Sequence, residues 1–377
     1  MRVSYISTYP PALCGIATYT HYLTKSLLKI DREIKIFVIA ERGASEIKTE
    51  RLEVRVCFER EKDYVEKITL ALKDTLPEVV HIQHEFAIFN PDQRFLNLLQ
   101  EIRKRAKVVV TLHTVHTNAT SDWEGMSMSM EEYNRKIGKL THTIVVHQDS
   151  MKKSLSSQGI PENLIHIIPH GTEILKKVDK KEARKRLNLP ENGKIILSFG
   201  FFSKYKNRDL VIEALPYVLD RVQNAYLLFS GYPRKEAKKE VDACVKKAEK
   251  LGVKDRVILM KRFVPDEEIH LVFGASDVVV FPYFQKYFSA SGSLHLAIGA
   301  FKIPVVSNIP KFEEVPQNIS EELTFEPKNP SDLARILVKV LKDENFRKAA
   351  VEKVKNYALE TSWDEVAKKH LQLYRAL

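Results

Sequence analysis

Three cations close behind a glycine, near the middle of the chain, have the spacing of a phosphate-binding loop. Lys204, Lys206 and Arg208 follow Gly200, which ends an apolar run from Ile195 to Phe199. The run is predicted to be a buried strand, and helical spacing of apolar residues resumes after the loop. A helix N-terminus offers free N–H groups and partial positive charge, and lysines add full charges. The pattern predicts a phosphate site, and the alternative is an ordinary turn with a solvated basic loop.

The chain is basic, with 377 residues and a formal net charge of +11. This length suggests two or three domains. A basic protein suits nucleic acid, an anionic membrane surface or phosphorylated substrates. The charges form small scattered clusters without interleaved aromatic residues, so nucleic acid is not favoured as a partner. Phosphorylated substrates fit best with the cationic loop.

Cysteine usage and hydropathy indicate where the protein resides. Cys14, Cys57 and Cys244 are far apart and lack metal-ligand spacing, which is typical of reduced thiols in a cytosolic protein. The N-terminus lacks the apolar core of a signal peptide. No apolar run approaches the roughly 18 residues of a transmembrane helix. We expect a cytoplasmic protein, with any contact with the inner membrane surface being peripheral.

Two series of strands alternate with helices, which predicts α/β domains built on parallel sheets. The predicted strands are 2–7, 34–39, 54–57, 79–83, 108–112 and 143–146 in the first series and 195–199, 225–229, 257–259, 277–281 and 303–307 in the second. Polar clusters such as HIQHE, HTVH and HQDS close three of the first strands. Ligands of such sheets bind at the carboxyl ends of the strands, where these clusters fall.

Six segments match the motifs of one family in the right order. They are TYPPALCGIATYTHYLTKSL, IIPHGTE, SFGFFSKYKNRDLVIEAL, FSGYP, SASGSLHLAIGAFKIPVVSNIPKFEEV and SWDEVAKKHLQLYRAL. Through them the chain resembles the retaining nucleotide-sugar glycosyltransferases of the GT-B fold, which include phosphatidylinositol mannosyltransferases and the sucrose and glycogen synthases. The resemblance implies two Rossmann-like domains facing each other across a cleft, with the acceptor side in 1–172 and the donor side in 173–358. It also implies a terminal helix, 359–377, that crosses back to the N-terminal domain.

The resemblance implies three catalytic residues. Lys206 matches a lysine that stabilises negative charge on the β-phosphate. His113 matches a histidine that touches the donor sugar, and its usual pKa suits hydrogen bonding or proton handling near neutrality. Glu314 matches a glutamate that approaches the donor. Phe201 stands where the family has an arginine, so Lys204 or Arg208 would have to replace that cation.

The remaining site residues follow from the same resemblance. The implied donor and nucleotide site also contains Gly15, Gly200, Phe201, Lys204, Arg208, Gly231, Arg262, Phe263, Ser289, Ser291, Gly292, Ser293 and Glu313. The implied acceptor side contains His84, Glu85 and His116. The loop Thr117 to Glu131 is either an acceptor lid or a disordered surface loop.

The largest departure from the family lies in its Glu-x7-Glu motif. Ser289 and Ala297 stand where the two glutamates, which bind sugar hydroxyls and the ribose, are expected. Ser289 can make one hydrogen bond and Ala297 none. The segment still offers N–H groups at a helix start together with Ser291 and Ser293, a workable phosphate or hydroxyl site.

The expected function is that of an enzyme. The resemblance implies a retaining hexosyltransferase that moves mannose or glucose from a GDP- or UDP-sugar to a hydroxyl of a glycan, lipid or small molecule. No cofactor and no metal is expected, because the histidines lack a metal-binding pattern such as H-E-x-x-H and the family needs none. The alternative is a catalytically weakened GT-B protein that acts as a carbohydrate- or nucleotide-binding module.

Overall fold

The chain folds into two compact units. A computed structural model describes residues 1–121, 128–231, 238–262, 264–285 and 287–377, with Lys238 described by its backbone alone. The N-terminal unit comprises Met1–Gly171, Tyr287–Ala290 and Thr361–Leu377, and the C-terminal unit comprises Thr172–Lys286 and Ser291–Glu360. Residues 122–127 of the predicted lid loop and 234–237 of a predicted helix, 234–250, lie outside the described residues.

Short strands and helices alternate along the described chain. The strands are β1 (Arg2–Ser7), β2 (Lys35–Glu41), β3 (Ile47–Lys48), β4 (Leu52–Phe58), β5 (Val79–His84), β6 (Lys107–Leu112), β7 (Thr114–Val115), β8 (Thr143–Val146), β9 (Ile165–Ile167), β10 (Lys194–Phe199), β11 (Ala225–Ser230), β12 (Val257–Met260), β13 (Val278–Phe281), β14 (Phe288–Ser289), β15 (Pro304–Ser307) and β16 (Thr324–Phe325). The α-helices are α1 (Gly15–Ile30), α2 (Val65–Thr75), α3 (Gln93–Arg103), α4 (Met130–Leu140), α5 (Asp149–Ser157), α6 (Lys180–Arg186), α7 (Arg208–Leu219), α8 (Lys238–Lys250), α9 (Asp266–Ala275), α10 (Gly292–Gly299), α11 (Glu314–Asn318), α12 (Pro330–Lys342), α13 (Glu344–Glu360) and α14 (Trp363–Ala376). The 3-10 turns are Glu162–Leu164, Lys204–Lys206, Lys254–Arg256, Pro310–Phe312 and Glu321–Leu323.

The N-terminal unit is built on an eight-stranded sheet in the order β3-β4-β2-β1-β5-β6-β8-β9. Its pairs are parallel except for β3 with β4. Every residue of β5 is buried, as expected for a strand whose two faces are both covered by crossover helices. The strand order reverses between β1 and β5, so the loops after these two strands lie where α/β sheets bind ligands.

The C-terminal unit has a six-stranded parallel sheet in the order β12-β11-β10-β13-β15-β16. This is the order of a doubly wound fold, with the switch point between β10 and β13. The predicted strands of this half are confirmed, and their observed bounds lie within one residue of the predicted ones. The loops after β10 and β13 therefore border the expected binding crevice.

The terminal helix α14 belongs to the N-terminal unit, which confirms that the chain crosses back. The ring of Trp363 stacks on Tyr22 at 5.7 Å between centroids and meets Tyr19 edge-on at 5.0 Å. A methyl group on Gly171 would overlap the Trp363 ring, so this approach requires glycine. At the other end of the helix, the hydroxyls of Tyr374 and Tyr5 lie 2.6 Å apart. Within the described residues, no helix is both long and apolar enough to cross a membrane.

A small antiparallel sheet was not predicted. β14 pairs with β7, with Ser289 opposite Thr114 and Phe288 opposite Val115. Residues 287–290 were expected in the C-terminal domain, whereas in the structure they belong to the N-terminal unit. Ser289 therefore lies one residue in register from the strand end that carries His113.

Candidate active site

The carboxyl edge of the C-terminal unit's sheet carries the cationic loop. This loop follows β10, and Tyr283 follows β13 on the other side of the switch point. Lys206 is the last residue of a 3-10 turn, and its Nζ lies 5.4 Å from the centre of the Tyr283 ring. The face of an aromatic ring attracts a cation at this distance. The predicted phosphate-binding lysine thus lies beside the switch point.

Two glycines make room for the Lys206 ammonium group. Gly200 has a φ of +106°, which residues with a side chain rarely adopt, and a Cβ there would lie 2.5 Å from Lys206 Nζ. At the end of β11, a Cβ on Gly231 would overlap the Gly200 carbonyl group. Gly231 therefore lets the loop approach β11, and Gly200 in turn leaves space for the ammonium.

Lys206 is a buried cation in positive surroundings. Its relative exposure is 6%. Burial, followed by the charges of Arg208 and Lys311, holds the pKa of Lys206 well below its usual range. Among the described residues, the two charged groups that shift the pKa of Lys206, Arg208 and Lys311, are both cations. A buried charge is costly unless an opposite charge compensates it, so the arrangement favours an anionic ligand.

The two cations expected to replace the missing arginine differ in their surroundings. Arg208 is buried and donates hydrogen bonds to the carbonyl oxygens of Gly200 (2.6 Å) and Phe201 (3.2 Å). Its guanidinium lies 4.0 Å from the Phe202 ring centre, and burial lowers its pKa to about 10. Lys204 is exposed. Arg208 therefore braces the loop, and its Nε is buried with no hydrogen-bond partner among the described residues. That Arg208 or Lys204 replaces the missing arginine stays a prediction.

The N-terminus of α10 lies beside Tyr283. Ser291 caps the helix by accepting a hydrogen bond from the N–H of Leu294 (3.3 Å). Its hydroxyl lies 3.2 Å from that of Ser293, which lies 3.3 Å from the Tyr283 hydroxyl. Gly292 is the first helical residue, and the first turn has no acidic residue. The positive end of the helix dipole is thus left uncompensated by the helix itself.

The two positions of the glutamate motif, Ser289 and Ala297, have different surroundings. Ser289 is buried in β14, opposite Thr114 of the N-terminal unit. Ala297 is fully buried, with 0% exposure, in the apolar core of the C-terminal unit. A carboxylate at Ala297 would have to enter that core, where charges are unfavourable. The ribose-binding position implied by the resemblance therefore faces the core in this chain.

Glu314 is held in a buried hydrogen-bond network. It opens α11, and its Oε2 accepts hydrogen bonds from His295 Nε2 (3.1 Å) and the Tyr357 hydroxyl (2.7 Å). His295 Nδ1 lies 2.7 Å from the Thr172 hydroxyl. Because His295 gives its Nε2 hydrogen to the carboxylate, its neutral form accepts the Thr172 hydroxyl at Nδ1. The network ties α10 to α11 and α13, and a direct role of Glu314 toward the donor stays a prediction.

Two of the three other implied donor residues, Arg262 and Glu313, are described. Arg262 is exposed and forms an ion pair with Glu268 at 2.5 Å. Glu313 is half-buried at the end of the 310–312 turn. Phe263 lies outside the described residues.

Gly15 opens α1 in the N-terminal unit, after β1. The N-cap residue, Cys14, makes no side-chain capping hydrogen bond, and the first turn has no acidic residue. A Cβ on Gly15 would meet no atom of the described residues within 4 Å. Packing against those residues therefore does not require glycine here, and the helix start can receive an anion.

His113 follows β6 and is buried, with 7% exposure. Its Nδ1 lies 3.1 Å from His147 Nε2, and its Nε2 lies 2.8 Å from the Gln83 side-chain amide. The Tyr19 ring meets it edge-on at 4.7 Å. Burial, followed by neighbouring histidines led by His147, holds the pKa of His113 well below its usual range. His113 is therefore neutral at physiological pH.

The hydrogen bonds engage both ring nitrogens of His113. Its Nε2 donates to Gln83 Oε1, an oxygen that only accepts. Its Nδ1 faces His147 Nε2, and His147 Nδ1 lies 3.0 Å from the Ile168 carbonyl oxygen. Both ring nitrogens are thus engaged within the N-terminal unit. A neutral ring with both nitrogens engaged does not favour proton handling, and contact of His113 with the donor sugar stays a prediction.

The implied acceptor residues are distributed between core and loop. His84 is fully buried among Phe86, Phe89 and Phe95, and burial lowers its pKa to about 3. It has no exposed surface with which to line an acceptor site. Glu85 Oε2 accepts a hydrogen bond from the Thr114 hydroxyl at 2.8 Å. The structure places Glu85 on a loop and His84 in the core.

His116 lies on the same edge of the N-terminal unit. Its ring centre is 4.9 Å from Phe86 and 5.0 Å from Tyr287. Its Nδ1 lies 3.1 Å from the Thr120 carbonyl oxygen. Two of the three residues expected on the acceptor side therefore stay at the carboxyl edge of the sheet.

Family models match both halves of the chain. One described as glycosyl transferases group 1 matches residues 179–357, and one described as glycosyltransferase family 4 matches residues 14–174. The C-terminal half thus matches the group 1 glycosyltransferases, and the N-terminal half matches glycosyltransferase family 4. This result agrees with the resemblance of the six sequence motifs. It does not decide the sugar or the stereochemistry.

Curated relatives of this chain are distant. An uncharacterized glycosyltransferase of Methanocaldococcus jannaschii is 27% identical over 240 residues, which are 62% of this chain and 59% of the relative. A D-inositol 3-phosphate glycosyltransferase of Corynebacterium urealyticum is 26% identical over 200 residues, which are 52% of this chain and 46% of the relative. The chain spans about half to three fifths of the length of these relatives.

Solved structures confirm the fold. A complex of Anabaena HepE with UDP superposes with a TM-score of 0.77 and 13% identity, covering 100% of both chains. Sucrose-phosphate synthase from Thermosynechococcus elongatus has a TM-score of 0.76 and 16% identity, covering 100% of this chain and 98% of that one. At these identities the likeness shows the two-domain GT-B fold alone.

Four side chains around His113 and Lys206 were not predicted from the sequence. Gln83 and His147 hold His113, Tyr283 lies close to Lys206, and the charge of Lys311 helps to lower the pKa of Lys206. His147 stands in HQDS, a polar cluster that was noticed but given no role. Tyr283 follows the apolar run VVVFP, and a polar residue directly after a buried strand is a usable signal. No feature of the sequence singled out Lys311.

Proposed function

We propose that the protein is a retaining hexosyltransferase that transfers mannose or glucose from a GDP- or UDP-sugar to a hydroxyl group of a glycan, lipid or small molecule. The observation that carries this proposal is Lys206, a buried lysine beside the switch point of the C-terminal sheet whose pKa is lowered by burial and by the charges of Arg208 and Lys311. A diphosphate is the anion that fits such surroundings, and the family matches make a nucleotide sugar its source.

The proposed chemistry assigns Lys206 to the leaving group. The bond between the anomeric carbon and the β-phosphate oxygen breaks, a bond from that carbon to the acceptor oxygen forms, and the proton of the acceptor hydroxyl passes to the departing β-phosphate. Negative charge grows on the β-phosphate, and a fixed cation in a buried site stabilises it. The positive end of α10 and the hydroxyls of Ser291 and Ser293 lie on the same edge. Because the cationic loop supplies the charge, we propose transfer without a metal ion.

The known relatives are in keeping with this donor class. A solved structure of similar fold is a complex with UDP and glucose, and curated relatives include D-inositol 3-phosphate glycosyltransferases. The chain spans only part of those relatives, so the donor, the acceptor and the whole reaction are proposals for this protein.

The test is a panel of UDP-, GDP- and ADP-hexoses with release of nucleotide diphosphate as readout. Wild type should release one nucleotide diphosphate, and Lys206→Met should lower kcat/KM about 10²–10³-fold, the usual effect of removing a single electrostatic stabiliser. The matched control is Lys185→Met, which removes an exposed lysine of α6. The anomeric configuration of the product, read by NMR, tests retention. Wild-type kinetics in Lys206→Met, with Lys185→Met also unchanged, would overturn the assignment.

A second candidate function is nucleotide-sugar binding without transfer. The observation that favours it is Ala297, which offers no carboxylate and lies in the core. Calorimetry separates the two candidates. A binding module takes up the donor with a measurable Kd yet releases no nucleotide diphosphate with any acceptor pool, whereas a transferase does both.

A further inference from the structure

Two adjoining cavities of the C-terminal unit lie away from the cationic loop. Their volumes are about 200 Å³ and about 370 Å³. Three residues that line the smaller cavity stand at the amino ends of β10, β13 and β15: Lys194, Asp277 and Ile303. Lys206 and Tyr283 instead follow the carboxyl ends of β10 and β13. The smaller cavity therefore lies at the edge of the sheet opposite the candidate active site.

Basic side chains dominate the walls of both cavities. Lys180 and Lys302 line the two cavities together. The other basic residues that line one cavity or the other are Lys176, Lys177, Lys194, His270, Arg347 and Lys355. Among the described residues, Asp277 is the one carboxylate in either wall. The whole chain has 60 lysines and arginines against 49 aspartates and glutamates, so composition alone does not explain this separation of charge.

The neighbouring carboxylates leave part of this positive charge uncompensated. Asp277 forms ion pairs with Lys180 and Arg184, each at 2.7 Å. Lys355 forms an ion pair with Glu352 at 3.6 Å. Within the part of the chain that the structure describes, the lysines of the larger cavity that form no ion pair are Lys176, Lys177 and Lys302.

Lys302 is fixed at the boundary between the two cavities. Its ammonium donates hydrogen bonds to the carbonyl oxygens of Gly274 (3.2 Å) and Ser276 (2.9 Å). A lysine has three donors, so one hydrogen of this ammonium is left for a ligand. Burial, followed by the charge of Lys180, lowers the pKa of Lys302 to about 8. A bound anion would oppose both effects, because it favours the charged form of the lysine.

Two glycines fix the segment 173–178, which carries two of the unpaired lysines. A Cβ on Gly274, near the end of α9, would lie 2.2 Å from Val178 Cγ1. A Cβ on Gly299, at the end of α10, would lie 1.9 Å from the Glu173 carbonyl oxygen. The segment is therefore packed directly on both helices. A wall that is already in place needs little ordering when a ligand binds.

A concave surface lined by charges of one sign concentrates ions of the opposite sign. We propose that the two cavities bind a small anion that carries two or more phosphoryl groups. One phosphate carries about −1.5 to −2 at neutral pH, so three lysines without an opposite charge favour more than one phosphoryl group. A volume of about 370 Å³ suits a small molecule, which favours that class over a nucleic acid or a membrane surface. This site is separate from the proposed transfer reaction, which uses the opposite edge of the sheet.

The test is calorimetry with pyrophosphate, inorganic phosphate and a hexose bisphosphate at constant ionic strength. The test variant is Lys176→Gln/Lys177→Gln. Its matched control is Lys246→Gln/Lys250→Gln, which removes two lysines of α8 and changes the net charge equally. All four lysines are exposed, so both variants should fold, and melting temperature checks this. Each titration is repeated with Lys206→Met present, because the proposed donor site also attracts a diphosphate.

Pyrophosphate should bind wild type at least about tenfold more tightly than phosphate, and the test variant should raise its Kd at least about tenfold, because charge-assisted hydrogen bonds are lost. The control variant should keep the wild-type Kd. Lys302→Gln should also raise the Kd, and Lys302→Arg, which keeps the charge, should raise it less. Tighter binding of the hexose bisphosphate than of pyrophosphate would identify a phosphate ester as the ligand, and the reverse would identify free polyphosphate.

The outcomes distinguish this inference from the proposed function. Equal Kd values in the test and control variants overturn the inference, since equal losses would mean attraction to net charge alone. Equal affinities for phosphate and pyrophosphate overturn the assignment of two phosphoryl groups. Loss of pyrophosphate binding in Lys206→Met alone places the anion in the donor site, which overturns the inference and leaves the transferase proposal standing. Pyrophosphate binding that survives Lys206→Met and is lost in Lys176→Gln/Lys177→Gln supports the inference, whatever the result of the turnover assay.

Discussion

The Gly200→Ala substitution tests the cationic loop without removing any charge. A non-glycine residue at a φ of +106° is strained, which costs about 1–3 kcal/mol of the free energy of unfolding. Gly252 offers a matched control in the same unit. It also has a positive φ, +68°, and a Cβ there would meet nothing within 4 Å. Both alanine variants should therefore lose stability by similar amounts.

The two variants should differ in turnover. A methyl group on Gly200 would lie 2.5 Å from Lys206 Nζ, whereas non-bonded carbon and nitrogen atoms pack at roughly 3.5 Å. The ammonium must then move by about 1 Å, which its flexible chain allows at little cost in stability. A misplacement of about 1 Å in a reacting group can lower the rate about 10²-fold. We expect this loss of kcat/KM in Gly200→Ala alone.

The assay is donor turnover per folded molecule, with thermal melts of both variants beside wild type. Gly252→Ala should keep turnover near wild type, because the residue lies at the end of α8, before β12 and away from the carboxyl edge. A Gly200→Ala variant that folds and turns over as fast as Gly252→Ala would refute the placement of the Lys206 ammonium at the leaving group.

Three further predictions follow from the site. Gly15→Ala should keep the melting temperature, since no described residue obstructs a Cβ there and alanine favours helices. If a ligand approaches the start of α1, the variant should bind the donor more weakly in calorimetry. Unchanged binding would contradict that approach. Burial and two cations hold the pKa of Lys206 well below its usual range, so the free protein loses this charge as pH rises and kcat/KM should fall with it. Lys206→Arg should lack that fall, because guanidinium stays protonated. An identical pH profile in the two proteins would contradict the assignment. Turnover should survive EDTA, and its loss with recovery on adding Mg²⁺ would show that a metal, and not the lysines alone, stabilises the diphosphate.

The architecture was largely predictable because long buried strands leave a clear sequence signal. β10 reads as an uninterrupted apolar run, and its predicted bounds differ from the observed ones by one residue. Strands of two residues leave no such signal. β7 and β14 pair across about 170 residues of sequence, and neither has a hydrophobic pattern of its own. Such pairing depends on tertiary position alone.

A site residue was predictable where its own side-chain type decides its role. It was unpredictable where the role depends on the residues that contact it. Lys206 was identified from a cationic loop after a glycine. The same pattern could not distinguish it from Arg208, because the partners of Arg208 are backbone carbonyls, which every residue carries. Likewise His113 was located correctly at a strand end, whereas its partners Gln83 and His147 come from two other strands. Ala297 was identified as a departure, but its burial depends on packing.

The polar groups of the two units point to one kind of chemistry. In the N-terminal unit, both nitrogens of His113 are satisfied by the protein and its pKa lies well below the usual range, so this ring neither gives nor takes a proton at neutral pH. In the C-terminal unit, Lys206 is buried and the cations around it lower its pKa, and a buried charge is costly until an opposite charge compensates it. In the proposed reaction, the diphosphate of the donor supplies that opposite charge, and its effect is largest when its own charge is greatest. Since that charge grows as the sugar leaves, the proposed site favours bond breaking over substrate binding.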